Sequence, residues 1–173
     1  MDMNDILKMM MTSGAADQVS KQTGISAADA AAVMQDVLPI LLKGMQGQAT
    51  NKSTQQGFLK ALADHSKDDT SDITKFIKNV DTDDGDKIVN HLLGSTQKEE
   101  VAAKAKKKRG IDTKTVLKIM AILAPLLMSK MGSTAQTAKA SSKSSSNDML
   151  DIVGGLLDGV DAGDVLKIVS KLI

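Results

Sequence analysis

The chain has 173 residues, a formal net charge of +1 and 42% apolar residues, so it is long and apolar enough to bury one continuous core. Because the net charge is close to zero, the protein as a whole does not attract nucleic acid or an acidic membrane electrostatically. The absence of cysteine excludes a disulfide framework, a thiolate nucleophile and a cysteine-based zinc site. Without Trp or Tyr, and with only two Phe, the core must consist of aliphatic residues and Met, and this composition predicts an all-α fold.

The first half of the chain predicts a series of helices, beginning with two short ones at 4–12 and 15–22. A long helix then starts after Ser26 and contains Pro39. Because proline removes a backbone hydrogen bond, a bend is predicted near residues 35–39. A polar loop is predicted over 46–54. The helices that follow are predicted at about 55–65, from Ser71 or Asp72 to Val80, at 84–93 and, as a joining helix, at 96–109.

The most apolar stretch is the predicted central helix 112–131, which contains a second proline, Pro125. Between Val116 and Met128 its only polar side chain is Lys118. A helix that is apolar nearly all round must be enclosed by other elements. Its longest apolar run, 119–128, is half of the roughly twenty residues that a membrane span needs, so no membrane span is expected. The amino terminus does not resemble a signal peptide, and a cytoplasmic location is expected.

The last part of the chain predicts a flexible linker followed by a pair of short helices. Residues 133–146 are rich in Ser, Thr and Ala and contain no large apolar side chain, which favours a linker. The carboxy-terminal helix pair is predicted over 148–173, with helices at about 148–158 and 162–172.

Two blocks of sequence occur twice. Gly24–Met45 aligns without a gap on Gly110–Met131, including the two prolines, and Val80–Leu93 matches Val160–Ile173 at seven of fourteen positions. The chain is therefore predicted to be a multi-helix bundle with an internal duplication around two long proline-bent apolar helices. The two halves are predicted at 1–95, with a repeat unit of about 23–95, and at 96–173.

The segments Gln22–Met45, Gly85–Ser95 and Gly110–Gly132 resemble the YidB-like bacterial family, domain-of-unknown-function family nine-three-seven. The basic helix between the last two segments fits the same pattern. The resemblance covers residues 3–132, and its motifs are helix caps, glycines and apolar spacing. It implies an all-α bacterial protein of unknown activity, and it assigns no catalytic or ligand residue.

Two features invite a metal or catalytic interpretation. The acidic turn 81–86 lacks the glycine and glutamate that an EF-hand loop requires at its sixth and twelfth positions, so its carboxylates are predicted to cap a helix. His91 aligns with Lys171 in the duplicated block, which places it near solvent. With His65 as the only other histidine, neither a metal site nor a general base is predicted. We therefore assign no catalytic, cofactor-binding or metal-binding residue and expect no cofactor and no enzyme activity.

The remaining features concern partners. Lys104–Arg109 is the only basic cluster and, without aromatic residues for stacking, is predicted to be a solvated helix end; nucleic-acid binding is the alternative hypothesis. Met9, Met10 and Met11 either close the core or form an adaptable binding surface. The leading hypothesis is a non-enzymatic cytoplasmic protein that acts through protein–protein contacts or self-association. No small-molecule substrate is evident.

Overall fold

The computed structural model describes residues 3–12, 14–141 and 147–158, and within them it contains eight helices and no strand. The predicted all-α class is confirmed for this part of the chain. The helices are α1 (Met3–Thr12), α2 (Ala15–Thr23), α3 (Ala27–Thr50), α4 (Gln55–His65), α5 (Ile73–Asn79), α6 (Thr82–Arg109), α7 (Thr113–Ser141) and α8 (Asn147–Asp158).

Helix α7 lies at the centre of the fold. It packs against α2, α3, α4, α5, α6 and α8. Val116 and every residue from Ile119 to Ser129 are buried, and the Nζ of Lys118 donates a hydrogen bond to the carbonyl oxygen of Gln22 at 2.8 Å. The prediction that this helix is enclosed is confirmed. One hydrophobic core contains buried residues from both predicted halves of the chain.

The length and composition of α7 would also allow it to cross a membrane. Among the described residues, Thr113–Ala140 is one helix that meets this criterion, and 78% of its apolar stretch is buried inside the protein. Helices α2 and α3 meet it only as a joined pair, which is bent by 106°. Burial on this scale is typical of the core helix of a globular protein.

Helix α3 is the second long helix. Ser26 caps its amino terminus, and the side chain of Ser26 accepts a hydrogen bond from the backbone N–H of Asp29 at 3.0 Å. The helix continues through Pro39 without a break and ends at Thr50. The predicted loop over 46–54 is therefore wrong for residues 46–50. The reason is tertiary: Ala49 is buried in the core, which stabilises a last turn that its polar sequence alone does not favour.

Helix α6 consists of two arms that meet at Gly94. The separate helices predicted at 84–93 and 96–109 correspond to these arms, because Gly94 has φ 76° and ψ 161°, outside the helical region. The first arm starts at Asp81, which caps the helix, and packs on α7. The second arm carries the basic run to Gly110, whose left-handed conformation ends the helix.

The predicted flexible linker 133–146 is wrong for residues 133–141, which continue α7 as a helix. Gly132 and Ala135 are buried, and a Cβ atom at Gly132 would lie 2.2 Å from the carbonyl oxygen of Leu62. Small side chains thus allow α7 to approach α4 closely. The hydroxyls of this segment donate to carbonyl oxygens one turn earlier, as Thr134 does to Lys130 at 2.8 Å.

The two ends of the chain are less completely described. Met10 is fully buried, and Met9 and Met11 are partly buried against the core, so the methionine cluster closes the core from the amino-terminal side. Helix α8 confirms the first predicted carboxy-terminal helix at 148–158, and its Val153 and Leu157 are buried. The second predicted helix, 162–172, lies outside the described residues.

Candidate functional site

A cleft of about 390 Å³ opens between the end of α4, helix α5 and the first turn of α6. Its apolar lining comes from Phe76, Val80 and Pro125. Its rim carries four carboxylates and two basic side chains, namely Asp68, Asp69, Asp81, Asp84, His65 and Lys75. An apolar surface with a few convergent polar groups is the usual form of a binding site.

Helix caps place the carboxylates of this cleft. The side chain of Asp81 accepts hydrogen bonds from the backbone N–H groups of Asp83 and Asp84, at 2.9 and 3.1 Å. This confirms that the acidic turn 81–86 caps a helix. Asp72, which does not itself line the cleft, caps α5 by accepting a hydrogen bond from the backbone N–H of Lys75 at 3.0 Å. The cap residues thus fix the first turns of α5 and α6, which contribute Lys75, Phe76 and Asp84 to the cleft.

His65 links the connection between α4 and α5 to the first turn of α6. Its Nδ1 lies 2.9 Å from Oδ2 of Asp68, and its Nε2 lies 3.6 Å from Oδ2 of Asp84. The buried hydroxyl of Ser129 donates to Asp68 Oδ2 at 2.9 Å and to the carbonyl oxygen of Pro125 at 2.8 Å. Asp68 is therefore held from two sides. Since Ser129 is fully buried and its hydrogen is shared between two oxygen acceptors, this group of side chains suits binding better than nucleophilic attack.

Hydrogen bonds keep carboxylates near the cleft ionised. The hydroxyl and backbone N–H of Ser71 hold the pKa of Asp69 below its ordinary value. The hydroxyl of Thr74 and the backbone N–H of Lys75 do the same for the pKa of Asp72. Both carboxylates therefore stay negative at neutral pH, and the rim of the cleft keeps its acidic character.

The basic run Lys104–Arg109 is partly engaged within the protein. Asp36 of α3 accepts hydrogen bonds from Arg109 Nε and from Lys108 Nζ, both at 2.7 Å. Burial raises the pKa of Asp36, but these two bonds outweigh it and leave the pKa below its ordinary value. The hydrogen bond to Asp36 also raises the pKa of Arg109. The end of this run therefore ties α6 to α3, a contact that the sequence analysis missed.

Replacing Asp36 by asparagine is expected to destabilise the protein by about 1 to 2 kcal/mol at pH 7, because charge-assisted hydrogen bonds are lost. Since the folded-state pKa of Asp36 is lowered, its stabilising contribution is present above the ordinary value of 3.8 and disappears as the pH falls through the lower folded-state value. Urea unfolding from pH 7 to pH 2.5 measures this. The difference between wild type and variant should be constant near neutrality and shrink below about pH 4.

The control for this experiment is Asp64→Asn, which alters an exposed carboxylate of α4 with no ion pair in the described part of the chain. Its effect on the free energy of unfolding should be small at every pH. An Asp36→Asn difference that stays the same down to pH 2.5 would contradict the assigned ion pair.

His91 lies apart from the cleft and is exposed, as its alignment with Lys171 predicts. Its backbone carbonyl oxygen accepts a hydrogen bond from Gln48 at 2.9 Å. Across residues 3–12, 14–141 and 147–158, no group of three or more His, Cys, Asp or Glu side chains is arranged to hold a metal ion. The structure thus brings Asp81 and Asp84, which the sequence analysis assigned to one helix cap, together with His65 at the cleft.

The fold and the cleft define a class of protein. It is an all-α protein built around a buried central helix, and its surface carries a cleft lined by apolar and acidic side chains. The chain belongs to a bacterial protein family of unknown function, DUF937, whose model matches residues 5–134. This confirms the resemblance in the sequence. None of the curated proteins and none of the solved structures compared with the chain matches it.

Proposed function

We propose that this protein is a non-enzymatic cytoplasmic protein that acts through protein–protein contact, and that the cleft between α4, α5 and α6 is its docking surface. The observation that carries the proposal is the combination of an apolar lining with exposed carboxylates in one cleft of about 390 Å³. The occupant is a segment of another protein that carries Arg or Lys next to an apolar side chain.

The chemistry of the cleft supports this occupant. Phe76, Val80 and Pro125 offer contact area to an aliphatic side chain, and the long side chains of Arg and Lys also bury apolar stems. Asp69 and Asp81 are exposed, and the side chain of Asp84 is 45% exposed, so these carboxylates can reach a cation. An arginine guanidinium binds carboxylates through two parallel hydrogen bonds, which favours Arg over Lys.

A fluorescently labelled peptide of alternating Arg and Leu tests the proposal by fluorescence anisotropy. It should bind the wild-type protein, and the affinity should fall as salt is added, because screening weakens contacts between exposed charges. A peptide in which Glu replaces Arg should not bind. Sedimentation of the unlabelled protein in the same buffer shows whether a second copy of the chain competes for the cleft. Binding of both peptides with equal affinity would overturn the proposal.

A matched pair of variants locates the binding surface. Asp84 lines the cleft, whereas the neighbouring Asp83 is exposed in the same first turn of α6 and does not line it. Asp84→Lys should weaken the Arg–Leu peptide on the order of tenfold, which corresponds to about 1.4 kcal/mol. Asp83→Lys makes the same change in net charge and should have a much smaller effect. If the two variants weaken the peptide affinity equally, the peptide responds only to the overall charge of the protein.

We also propose that the chain arose by internal duplication, with α3 and α7 as equivalent long helices, each bent at its proline. The aligned glycines support this, because Gly24 and Gly110 both end the preceding helix with positive φ, 75° and 72°. Other aligned pairs agree in burial: Met34 with Met120 and Met45 with Met131 are all fully buried.

The alternative function is nucleic-acid binding by Lys104–Arg109. Its support is limited to the exposed lysines of the run, since Lys108 and Arg109 bind Asp36 and Lys106 lies 3.9 Å from Asp112. Retention on immobilised DNA that falls steeply with salt, and is lost in Lys104→Glu/Lys107→Glu, would favour this alternative.

A further inference from the structure

His65 differs from the other charged side chains that line the acidic cleft. Aspartate and lysine ordinarily keep their charge between about pH 5 and pH 8, whereas histidine gains or loses a proton within this range. The side chain of His65 is 21% exposed, so its ring can exchange protons with solvent. Each of its two ring nitrogens faces a carboxylate. The charge inside the cleft therefore changes at His65 when the pH falls from neutrality.

The contact at Nδ1 fixes the position of the hydrogen in the neutral ring. Nδ1 of His65 lies 2.9 Å from Oδ2 of Asp68, which is a hydrogen-bond distance, and an ionised carboxylate can only accept. Nδ1 therefore carries the hydrogen, and Nε2 carries a lone pair. The hydroxyl of Ser129 donates to the same oxygen of Asp68 at 2.9 Å and holds this acceptor in place. The orientation of the ring is thus set from the Asp68 side.

The contact at Nε2 is incomplete while the ring is neutral. Nε2 of His65 lies 3.6 Å from Oδ2 of Asp84, beyond the roughly 3.2 Å that a hydrogen bond allows. Because a lone pair and a carboxylate oxygen repel each other, neutral His65 leaves Asp84 free to bind a cation. Protonation makes both ring nitrogens donors. Nε2 and Asp84 then attract each other, and a movement of less than about 1 Å gives a charge-assisted hydrogen bond.

The other side chains of the cleft do not take over this contact. Hydrogen bonds from Ser71 and, to a smaller extent, the charge of Lys75 lower the pKa of Asp69, so this carboxylate stays ionised throughout the range in which histidine titrates. The carboxylate of Asp81 accepts two backbone N–H groups as the cap of α6. Helix α7 contributes Pro125, which carries no charge. The carboxylate at Nε2 is therefore the group whose availability depends on the charge of the ring.

We infer that protonation of His65 withdraws Asp84 from the cleft and thereby releases a cationic occupant. The occupant is the segment with Arg or Lys described above, so this inference rests on the proposed function. Near neutral pH, Asp84 is available to the guanidinium or ammonium group of that segment. In acid, Asp84 pairs with the imidazolium of His65, which also repels the positive charge of the occupant. Because linkage is reciprocal, binding of the occupant favours the neutral ring.

The pH dependence of peptide binding tests this regulation. The labelled Arg–Leu peptide, with both termini blocked, is titrated into the full-length protein at about pH 7.5 and about pH 5.5, on either side of an ordinary histidine titration. The affinity should fall on the order of tenfold at the lower pH, which is the effect of one pKa unit of coupling. His65→Gln removes the ionisable ring and should bind the peptide with nearly equal affinity at both pH values.

The matched control is His91→Gln, because His91 is the second of the two histidines in the chain and is exposed away from the cleft. This variant should show the same tenfold fall as the wild type. Equal affinity of the wild type at both pH values, or a fall that persists in His65→Gln, would overturn the inference. In both cases the peptide still binds, and the proposed function stands.

NMR spectroscopy of the wild-type protein makes the second test, which needs neither the peptide nor a folded His65→Gln variant. The neutral ring of His65 should carry its hydrogen on Nδ1, and the carboxyl carbon signal of Asp84 should shift as His65 is protonated. A neutral ring with its hydrogen on Nε2, or an Asp84 signal that does not follow His65, would overturn the inference even if the peptide binds. If the Asp84 signal follows His65 but no peptide binds at either pH, the proposed occupant is wrong and the pairing of His65 with Asp84 stands.

Discussion

Replacing Gly85 by alanine is expected to destabilise the protein by about 3 kcal/mol, at the upper end of what overpacking a core usually costs. Gly85 is buried where α6 crosses α7, and a Cβ atom there would lie 1.8 Å from the carbonyl oxygen of Ala121. The obstructing atoms belong to the backbone of the central helix, so they cannot move aside as a side chain can. The two helices would have to separate, and contacts along their whole interface would weaken.

Thermal and urea unfolding of Gly85→Ala measure this effect. The matched control is Gly57→Ala in α4, where a new Cβ atom meets nothing within 4 Å. That substitution should leave stability unchanged or raise it by up to about 1 kcal/mol, because alanine favours the helix more than glycine does. If the two variants unfold at the same urea concentration, α6 and α7 do not touch at Gly85.

The sequence was sufficient to predict the fold class and the place of the central helix. Val116–Met128 has no polar face in any helical projection, and such a helix can only be enclosed. Capping residues were equally informative, because a short polar side chain before an apolar run commonly caps the amino terminus of a helix. Ser26, Asp72 and Asp81 all cap the helices that follow them.

The extension of α7 through residues 133–141 could not be predicted in this way. Its Ser, Thr and Ala residues bury little apolar area, so hydrophobic periodicity is absent and the composition is typical of a linker. The helix is stabilised instead by a close backbone approach to α4 at Gly132, where a side chain would not fit, and by the burial of Ala135. Small residues produce the same sequence signal whether they face a neighbouring helix or solvent.

The acidic cleft was missed for a different reason. Its lining residues come from α4, α5, α6 and α7, and each has a sufficient local explanation in the sequence. In the sequence, the carboxylates of the 81–86 turn are explained as helix caps, and Pro125 is explained as a helix irregularity. Asp68 is a local neighbour of His65, three residues along the chain, but only tertiary contact brings Asp84 to the other ring nitrogen of His65. In the sequence, the available signal was a single histidine at the end of a helix, followed by Asp68 and Asp69.

The second large effect on stability is expected from a substitution in α7, the helix enclosed at the centre of the fold. Leu123 is fully buried, with α7 covered by six other helices. An aspartate at this position would lie without a partner in an apolar interior and would be protonated or drive the helix out. The cost is several kcal/mol, a large part of the roughly 5 to 15 kcal/mol that stabilises an ordinary domain. Leu123→Asp is therefore expected to unfold the protein or leave it with no cooperative transition.

Thermal unfolding followed by circular dichroism, with Leu123→Asp and Lys114→Asp side by side, is the measurement that tests this most directly. Lys114 is exposed in the first turn of the same helix, where an acidic side chain is favourable, so its variant should melt like the wild type. The enclosed helix predicts loss of the cooperative transition in Leu123→Asp alone. A Leu123→Asp protein that melts cooperatively within a few degrees of the wild type would contradict the enclosure of α7.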